Sequence, residues 1–137
     1  SNTMRFLDKN LSETTLKILP DDSEVQLRIA AADVVPNKNF PERSNLRVRF
    51  DVCDDPLVED IMIWLPIPNE DTPQKQAFRQ NARIESFFKA FGLPTDPDSD
   101  LETSDMVSKE GWAIIAEEVN RMDGSPQNGV RRFVSSR

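Results

Sequence analysis

Three stretches in the first half of the chain alternate apolar and polar residues with a period of two, which is typical of half-buried β-strands. The first begins at Val25, the second covers 46–52 and the third begins at Ile61. Segments rich in proline, aspartate or asparagine separate them, as expected for turns and loops. We therefore predict three consecutive strands.

After residue 72 the pattern changes to the three- and four-residue spacing of an amphipathic helix. Thr72 is expected to cap this helix, and Pro73 to take its first position, where a missing N–H does no harm. Gly92 and Pro94 are expected to end it. The apolar stripe that would face the core consists of Ile84, Phe87, Phe88 and Phe91.

Two further strands are predicted after the helix, over 112–119 and 130–134, with a turn at 123–126 between them. Three strands, one helix and two strands is the element order of the OB-fold, a five-stranded Greek-key barrel. We therefore predict a mainly β protein. Its fold would be a five-stranded OB-like Greek-key barrel, with one helix between strands 3 and 4 that closes the open end.

The chain of 137 residues has the length of one domain. Residues 1–3 precede Met4 and are interpreted as a remnant of cloning. Residues 4–24 are assigned to an N-terminal arm, for which the pattern allows either a short helix or a loosely docked segment. Residues 25–137 are assigned to the single OB-like domain.

The composition removes many classes of enzyme. The chain has no histidine and a single cysteine, which excludes Ser-His-Asp and Cys-His nucleophilic sites and every zinc site that needs imidazole. Its four glycines are scattered at turns and form no phosphate-binding loop. We therefore predict a protein that is not an enzyme and has no cofactor.

The sequence contains no run of about 18 apolar residues and no secretory signal segment, so we expect no association with a membrane. The lone cysteine, Cys53, cannot form an internal disulfide and fits a reducing compartment. We expect a cytoplasmic protein.

Two acidic stretches are considered as metal sites. Asp96, Asp98 and Asp100 begin like an EF-hand calcium loop, but Leu101 stands where that loop needs glycine. The acidic run 54–60 is interpreted as a solvated hairpin in preference to a magnesium-dependent nuclease site. We predict no metal site.

The second and third strands carry a candidate binding surface. Arg47 and Arg49 point away from the core face of the second strand, and Met62 and Trp64 occupy the corresponding face of the third. If these strands pair, guanidinium groups lie beside a flat aromatic ring, the combination that binds phosphates and stacks the bases of a single strand. The alternatives are that the arginines only solvate the strand and that Trp64 packs in a second core layer.

Flanking contacts are expected from the first strand and from two loops that border this face in an OB-fold. These residues are Arg28, Lys38, Phe40, Arg43 and Arg121. The net charge of −7 disfavours a polyanionic ligand at long range. The charges are segregated, however, because the stretch 25–49 has five basic residues against two acidic ones, whereas 51–73 has seven acids and no Lys or Arg. A basic groove on an acidic body would bind with a strong dependence on salt.

Residues 19–134 contain five motifs that are informative together: Leu19-Pro20-Asp21-Asp22, Leu46-Arg47-Val48-Arg49-Phe50-Asp51-Val52, Phe87-Phe88-Lys89-Ala90-Phe91-Gly92-Leu93-Pro94, Gly111-Trp112-Ala113-Ile114-Ile115, and Gln127-Asn128-Gly129-Val130 with Phe133. With these motifs the chain resembles the OB-fold single-stranded-DNA-binding proteins of bacteriophages that are encoded near replication and recombination genes. It is also similar to a related uncharacterised phage domain family.

The resemblance implies sequence-tolerant binding of single-stranded DNA in phage replication and recombination, in the cytoplasm of the bacterial host. It places Arg47, Arg49 and Trp64 on the binding face and suggests a phage recombinase or polymerase as protein partner. A different interpretation of the charge is an acidic protein-interaction module that docks onto a basic replication or recombination partner. A homodimer formed by sheet extension at an exposed edge strand is left open.

Overall fold

The computed structural model describes residues 16–135. It is mainly β, with five strands and with one α-helix between the third and fourth, which confirms the predicted class and element order. The elements are β1 (Glu24–Pro36), β2 (Ser44–Val52), β3 (Ile61–Ile67), α1 (Gln74–Ala90), a short 3₁₀ helix (Thr103–Met106), β4 (Glu110–Val119) and β5 (Pro126–Val134). Among the described residues, no helix combines the length and the apolarity needed to cross a bilayer.

The five strands form one antiparallel sheet in the order β3-β2-β1-β4-β5. The long central strand β1 pairs with β4 over 24–28 and with β2 over 27–36. Its register with β2 shifts between Ile29 and Ala31, where a β-bulge adds a residue and bends the strand. This bend allows a single strand to belong to both halves of the sheet.

The predicted closed barrel is not formed by the described residues. The two edge strands, β3 and β5, stand at opposite ends of the hydrogen-bonded order, and no ladder joins them within 16–135. They nevertheless approach each other, with Cα atoms within 8 Å. The sheet is therefore strongly curled but open, which corrects the expectation of a complete five-stranded Greek-key barrel.

Part of the N-terminal arm occupies the gap between the edges. Lys17 forms a parallel bridge with Val58, just before β3. Two residues on, the backbone N–H of Leu19 donates to Oδ1 of Asn128 in β5 (2.7 Å), and Nδ2 of Asn128 donates back to the Leu19 carbonyl (2.9 Å). The described part of the arm is thus extended and docked, and it supplies contacts where a closed barrel would pair β3 with β5. Residues 4–15 of the predicted arm lie outside the described residues.

The core is formed between the concave face of the sheet and the C-terminal half of α1. Phe87 and Phe91 of the predicted helical stripe are buried, while the other two members are half-buried at its margin. The Phe91 ring stacks on Phe50 of β2 with 5.3 Å between centroids, and Phe87 lies 5.3 Å from Phe133 of β5. Because α1 contacts β3, β5 and β4, it covers the open end of the sheet, as expected from its stripe.

The C-terminus of α1 ends as predicted, but its N-terminus is not capped by the predicted residue. At the N-terminus, Pro73 occupies the N-cap position and no side chain caps the helix. Thr72, predicted as the cap, instead bonds to Asn69, whose N–H donates to the Thr72 hydroxyl at 2.9 Å. At the C-terminus, Gly92 has a φ of +67°, the left-handed conformation that ends a helix at low cost for glycine.

Candidate nucleic-acid interface

The outer face of the β2–β3 ladder brings the central residues of the predicted surface together. In the antiparallel register Arg47 lies opposite Trp64, and Arg49 lies opposite Met62. Their neighbours in β2, such as Val48, are buried because alternate residues of a strand face opposite sides. Trp64 is 54% exposed and Met62 37% exposed, so Trp64 is not part of a second core layer. We call Arg47, Arg49, Met62 and Trp64 the β2–β3 platform.

Arg47 is held by a carboxylate that the sequence analysis did not assign to the surface. Asp33 of β1 lies opposite Arg47 in the register, on the side away from Trp64. The Arg47 guanidinium donates to Asp33 twice, from Nε to Oδ1 at 3.1 Å and from the terminal nitrogen to Oδ2 at 2.6 Å. This bidentate pair fixes the guanidinium plane next to the indole and neutralises its charge.

Arg28 and Arg49, near Arg47 on the same face of the sheet, are also paired. Arg28 donates to Asp51, its register partner in β2, at 3.2 Å. Nε of Arg49 lies 3.6 Å from a carboxylate oxygen of Asp60, just before β3. Burial and then the nearby charge of Asp51 raise the pKa of the Asp60 carboxyl. Both arginines of the β2–β3 platform are therefore paired with acids beside an exposed indole, and this face has no surplus of positive charge.

The β1–β2 loop places the predicted flanking residues at one end of the platform. Oδ1 of Asn37 accepts the N–H groups of Asn39 and Phe40, and the Arg43 N–H donates to the Phe40 carbonyl at 2.8 Å. The Arg43 guanidinium carbon lies 4.8 Å from the centre of the Phe40 ring, a cation–π contact. Lys38 is exposed in the same loop and forms no ion pair within residues 16–135.

The β4–β5 loop faces the platform from the other side, across a cleft of about 570 Å³ that Met62 and Trp64 line. The loop is held by its own side chains, since Oδ1 of Asp123 accepts both the N–H and the hydroxyl of Ser125. Arg121 belongs to this loop and is exposed, but it is not one of the residues that line the cleft. The charged residues among the described lining are Glu59, Asp60 and Asp123.

The remaining candidates carry no binding chemistry in this geometry. Within residues 16–135, no group of three or more Asp, Glu, Cys or His side chains has the arrangement of a metal site. The Cys53 thiol donates to a carboxylate oxygen of Glu110 at 3.5 Å. Burial, followed by this contact, raises the pKa of the thiol to about 11, so the thiolate needed for nucleophilic chemistry is scarce at neutral pH.

Comparison of the chain with models of known protein families and with curated proteins found no match. The resemblance to phage single-stranded-DNA-binding proteins therefore rests on the sequence motifs alone and stays a hypothesis.

The position of Asp33 was missed for an identifiable reason. The alternation from Val25 through Ala31 would place Asp33 on the core face if it continued unbroken. The bulge after Ile29 shifts the phase, so that Ala32 faces inward, opposite Val48, and Asp33 faces outward, opposite Arg47. A charged residue on the apparent core phase of a strand is itself a signal of such a bulge.

Proposed function

We propose that this protein binds single-stranded nucleic acid, and DNA in particular, on the β2–β3 platform without catalysing a reaction. The observation that carries the proposal is the direct opposition of Arg47 and Trp64 in the register of two paired strands, with the indole 54% exposed. An exposed aromatic face stacks a base for about 1–3 kcal/mol, and the adjacent arginines are placed to contact the phosphates. Lys38 and Arg121 on the flanking loops extend the surface.

We further propose that the sheet is a partly open OB-fold. The strand order, the sharing of β1 between both halves and the helix between β3 and β4 all agree with that topology. In an OB-fold the face of strands 2 and 3, bordered by the loops after strands 1 and 4, is the surface that binds oligonucleotides. The β2–β3 platform and its loops occupy the equivalent positions.

The ion pairs of the platform are compatible with this function. Arg47 and Asp33 are each about half exposed, and exposed ion pairs contribute only about 0–1 kcal/mol. A phosphate can therefore replace the carboxylate as the partner of the guanidinium. The released carboxylate then repels the strand, so we expect moderate affinity that falls as salt is added.

The biological setting follows from the motif resemblance and belongs to the same proposal. A phage protein of this kind would cover single-stranded DNA in the cytoplasm of the host and deliver it to a recombinase or polymerase. Binding to the strand would be largely sequence-tolerant, because every base can stack and every nucleotide carries a phosphate.

The experiment is a fluorescence anisotropy titration of a labelled oligo-dT of about 30 nucleotides at about 50 and 300 mM salt. Wild type should bind at low salt and weaken at high salt. The double variant Arg47→Ala with Arg49→Ala should bind more weakly. The slope of log K against log salt concentration should become less steep by roughly 1.4, or about 0.7 per lost phosphate contact on a single strand.

The matched control removes two exposed arginines outside the platform, Arg79 of α1 and Arg132 of β5, by the same substitution. It changes the net charge equally and should change the slope less. Equal affinities for wild type and the platform variant at low salt would show that the assignment of this face is wrong.

A second function is favoured by one observation, the carboxylates Glu59, Asp60 and Asp123 that line the cleft beside Trp64. These residues, with the paired state of the arginines, suit a basic segment of a replication or recombination protein. Under this alternative an Arg-rich peptide binds with displacement by salt, and oligo-dT does not bind at low salt. The same titration therefore separates the two functions.

A further inference from the structure

A second, smaller pocket lies where the platform ends. It has a volume of about 200 Å³ and is enclosed by the β1–β2 loop, the adjoining ends of β2 and β3, and the first turns of α1. This volume is below the range of about 300–1,000 Å³ typical of sites for drug-sized ligands, and it suits a single ring system. Its polar lining is dominated by uncharged side chains, namely the amides of Asn37, Asn39, Asn45, Gln76 and Gln80 and the hydroxyls of Ser44 and Thr72.

The charge of this pocket sets it apart from the rest of an acidic molecule. Arg43 is its charged residue, and no carboxylate is found among the described residues that line it. The larger cleft beside Trp64, in contrast, is lined by three carboxylates. A ligand attached to a phosphate backbone therefore meets less repulsion in the small pocket than in the large cleft.

Two side-chain atoms of residues that line the pocket lack hydrogen-bond partners. Nε of Arg43 and Oδ1 of Asn45 are buried and form no hydrogen bond within the described part of the chain. One is a donor and the other an acceptor, so their chemistry is matched by a ligand that carries both an acceptor and a donor. Buried polar atoms are nearly always paired in folded proteins, which makes two orphans in one small pocket informative.

An aromatic ring borders the same space. Phe40 also lines the pocket, is 49% exposed and carries the Arg43 guanidinium 4.8 Å from its ring centre. A phenyl ring and a guanidinium plane are both surfaces on which proteins stack unpaired bases. Displacement of Arg43 from the Phe40 ring would expose both the ring and the orphan donor.

The pocket is continuous with the platform. Asn45 and Pro66 are opposite each other in the register, one row beyond Arg47 and Trp64 on the same face of the sheet. Successive rows on one face are two residues apart, or about 7 Å along the strands. A strand stacked on Trp64 can therefore reach the pocket with a neighbouring nucleotide.

From these observations we infer that the pocket takes one nucleobase of the bound strand and reads its hydrogen-bonding edge. The inference rests on the proposed function and refines it, because it adds a preference at one nucleotide to otherwise sequence-tolerant binding. Asn and Gln amides offer the paired donor and acceptor that base edges require, and Lys38 in the same loop is placed for the adjoining phosphate.

The test compares four homopolymers of about 15 nucleotides, oligo-dT, -dC, -dA and -dG, by competition in the anisotropy assay. Wild type should prefer its best homopolymer over its worst by about tenfold. Asn45→Leu should reduce this preference to about twofold. It should leave the melting temperature unchanged or higher, because it replaces an unsatisfied buried acceptor with an apolar group of similar shape.

A matched pair on one helix gives an independent check. Gln80→Leu alters the pocket wall, whereas Gln74→Leu makes the same change on α1 outside the pocket. The first should flatten the preference among homopolymers and the second should keep it.

The outcomes separate the pocket from the function. Homopolymers that all bind wild type within about twofold of one another, or a preference that survives both Asn45→Leu and Gln80→Leu, would overturn the base pocket and leave strand binding in place. Failure of every homopolymer to bind at low salt would overturn the proposed function together with the pocket.

Discussion

Each arginine of the β2–β3 platform lies next to an acid that neutralises it, and this pairing governs what the surface can bind. The Arg47–Asp33 pair has both hydrogen bonds of a bidentate contact. A fixed guanidinium loses less conformational entropy on meeting a phosphate than a mobile one. Asp33 therefore both prepares Arg47 for a ligand and competes with that ligand.

This competition can be measured with Asp33→Asn. The variant keeps the shape of the side chain, removes the competing charge and should bind oligo-dT about two- to fivefold more tightly at low salt, consistent with an exposed ion pair worth up to ~1 kcal/mol. Asp100→Asn changes the net charge equally in a loop remote from the platform in sequence and serves as the control. An affinity no higher than that of the control would contradict the role given to Asp33.

Cys53 provides a prediction at the same scale. Its pKa is raised from 9.0 to about 11, first by burial and then by the hydrogen bond to Glu110. Below pH 9 the thiolate fraction is therefore about a hundredfold lower than in the unfolded chain, and alkylation by iodoacetamide should be slowed to match. Glu110→Gln removes one cause of the shift and should speed the reaction. Fast alkylation of the folded wild type at about pH 7.5 would show that the thiol is less protected than the structure indicates.

The raised pKa of Cys53 also determines how the stability of the fold changes with pH. Because the pKa of the Cys53 thiol is higher in the folded state than in the unfolded state, the neutral thiol favours folding below pH 9. That contribution is lost as the pH rises towards 11.

At the scale of elements, a close contact between β4 and the C-terminal end of α1 allows the packing of the helix on the sheet to be tested. A Cβ added at Gly111 of β4 would lie 2.5 Å from the backbone oxygen of Ala90 and 2.9 Å from the Phe91 ring. Because backbone cannot move aside as a side chain can, Gly111→Ala should reduce the free energy of unfolding by about 1–3 kcal/mol in urea titrations.

Gly129 of β5 is the matched control for this substitution. Neither glycine has a positive φ, and the atoms nearest to a Cβ at Gly129 would be those of the Glu118 side chain, which is flexible and can turn away. Gly129→Ala should therefore have the smaller effect. Equal losses of stability for the two variants would mean that the contact between α1 and β4 is looser than described.

The elements show where sequence patterns are sufficient and where they fail. The alternation at 46–52 and the Phe stripe at 84–91 are local signals, and each predicted the correct element and the correct buried face. Closure of the sheet depends on whether two edge strands pair across the whole domain, and no local pattern reports that. The hydrogen bonds between Leu19 and Asn128 join residues 109 positions apart. The docking of the arm in the gap could therefore not be predicted from local sequence patterns either.

The candidate site was predictable to a similar extent. Two alternating strands in succession predicted that Arg47, Arg49 and Trp64 would share a face if the strands paired, and they do pair in that register. The pairing of Arg47 with Asp33 depends on a bulge in β1, which alternation alone does not place. The pocket beside Asn45 depends on the meeting of a loop, two strand ends and a helix, which only the folded chain reveals.

At the scale of the whole molecule, an acidic protein has to present a surface that binds a polyanion. Acidic residues outnumber basic ones by 24 to 17, so any attraction must come from the local arrangement and must act at short range. At physiological salt the Debye length is about 8 Å, which screens most of the distant acids but few of the carboxylates on the platform itself. Stacking on Trp64 is therefore expected to contribute a larger share of the affinity than charge does.

The most direct test of the central claim is the quenching of intrinsic tryptophan fluorescence by oligo-dT at low salt. The chain has two tryptophans, Trp64 on the platform and Trp112 on β4, opposite Gln26 and Val134. Wild type and Trp112→Phe should both be quenched as the oligonucleotide is added, whereas Trp64→Phe should show little quenching and weaker binding. Quenching that survives in Trp64→Phe, or an oligonucleotide that leaves the wild-type signal unchanged, would contradict the account.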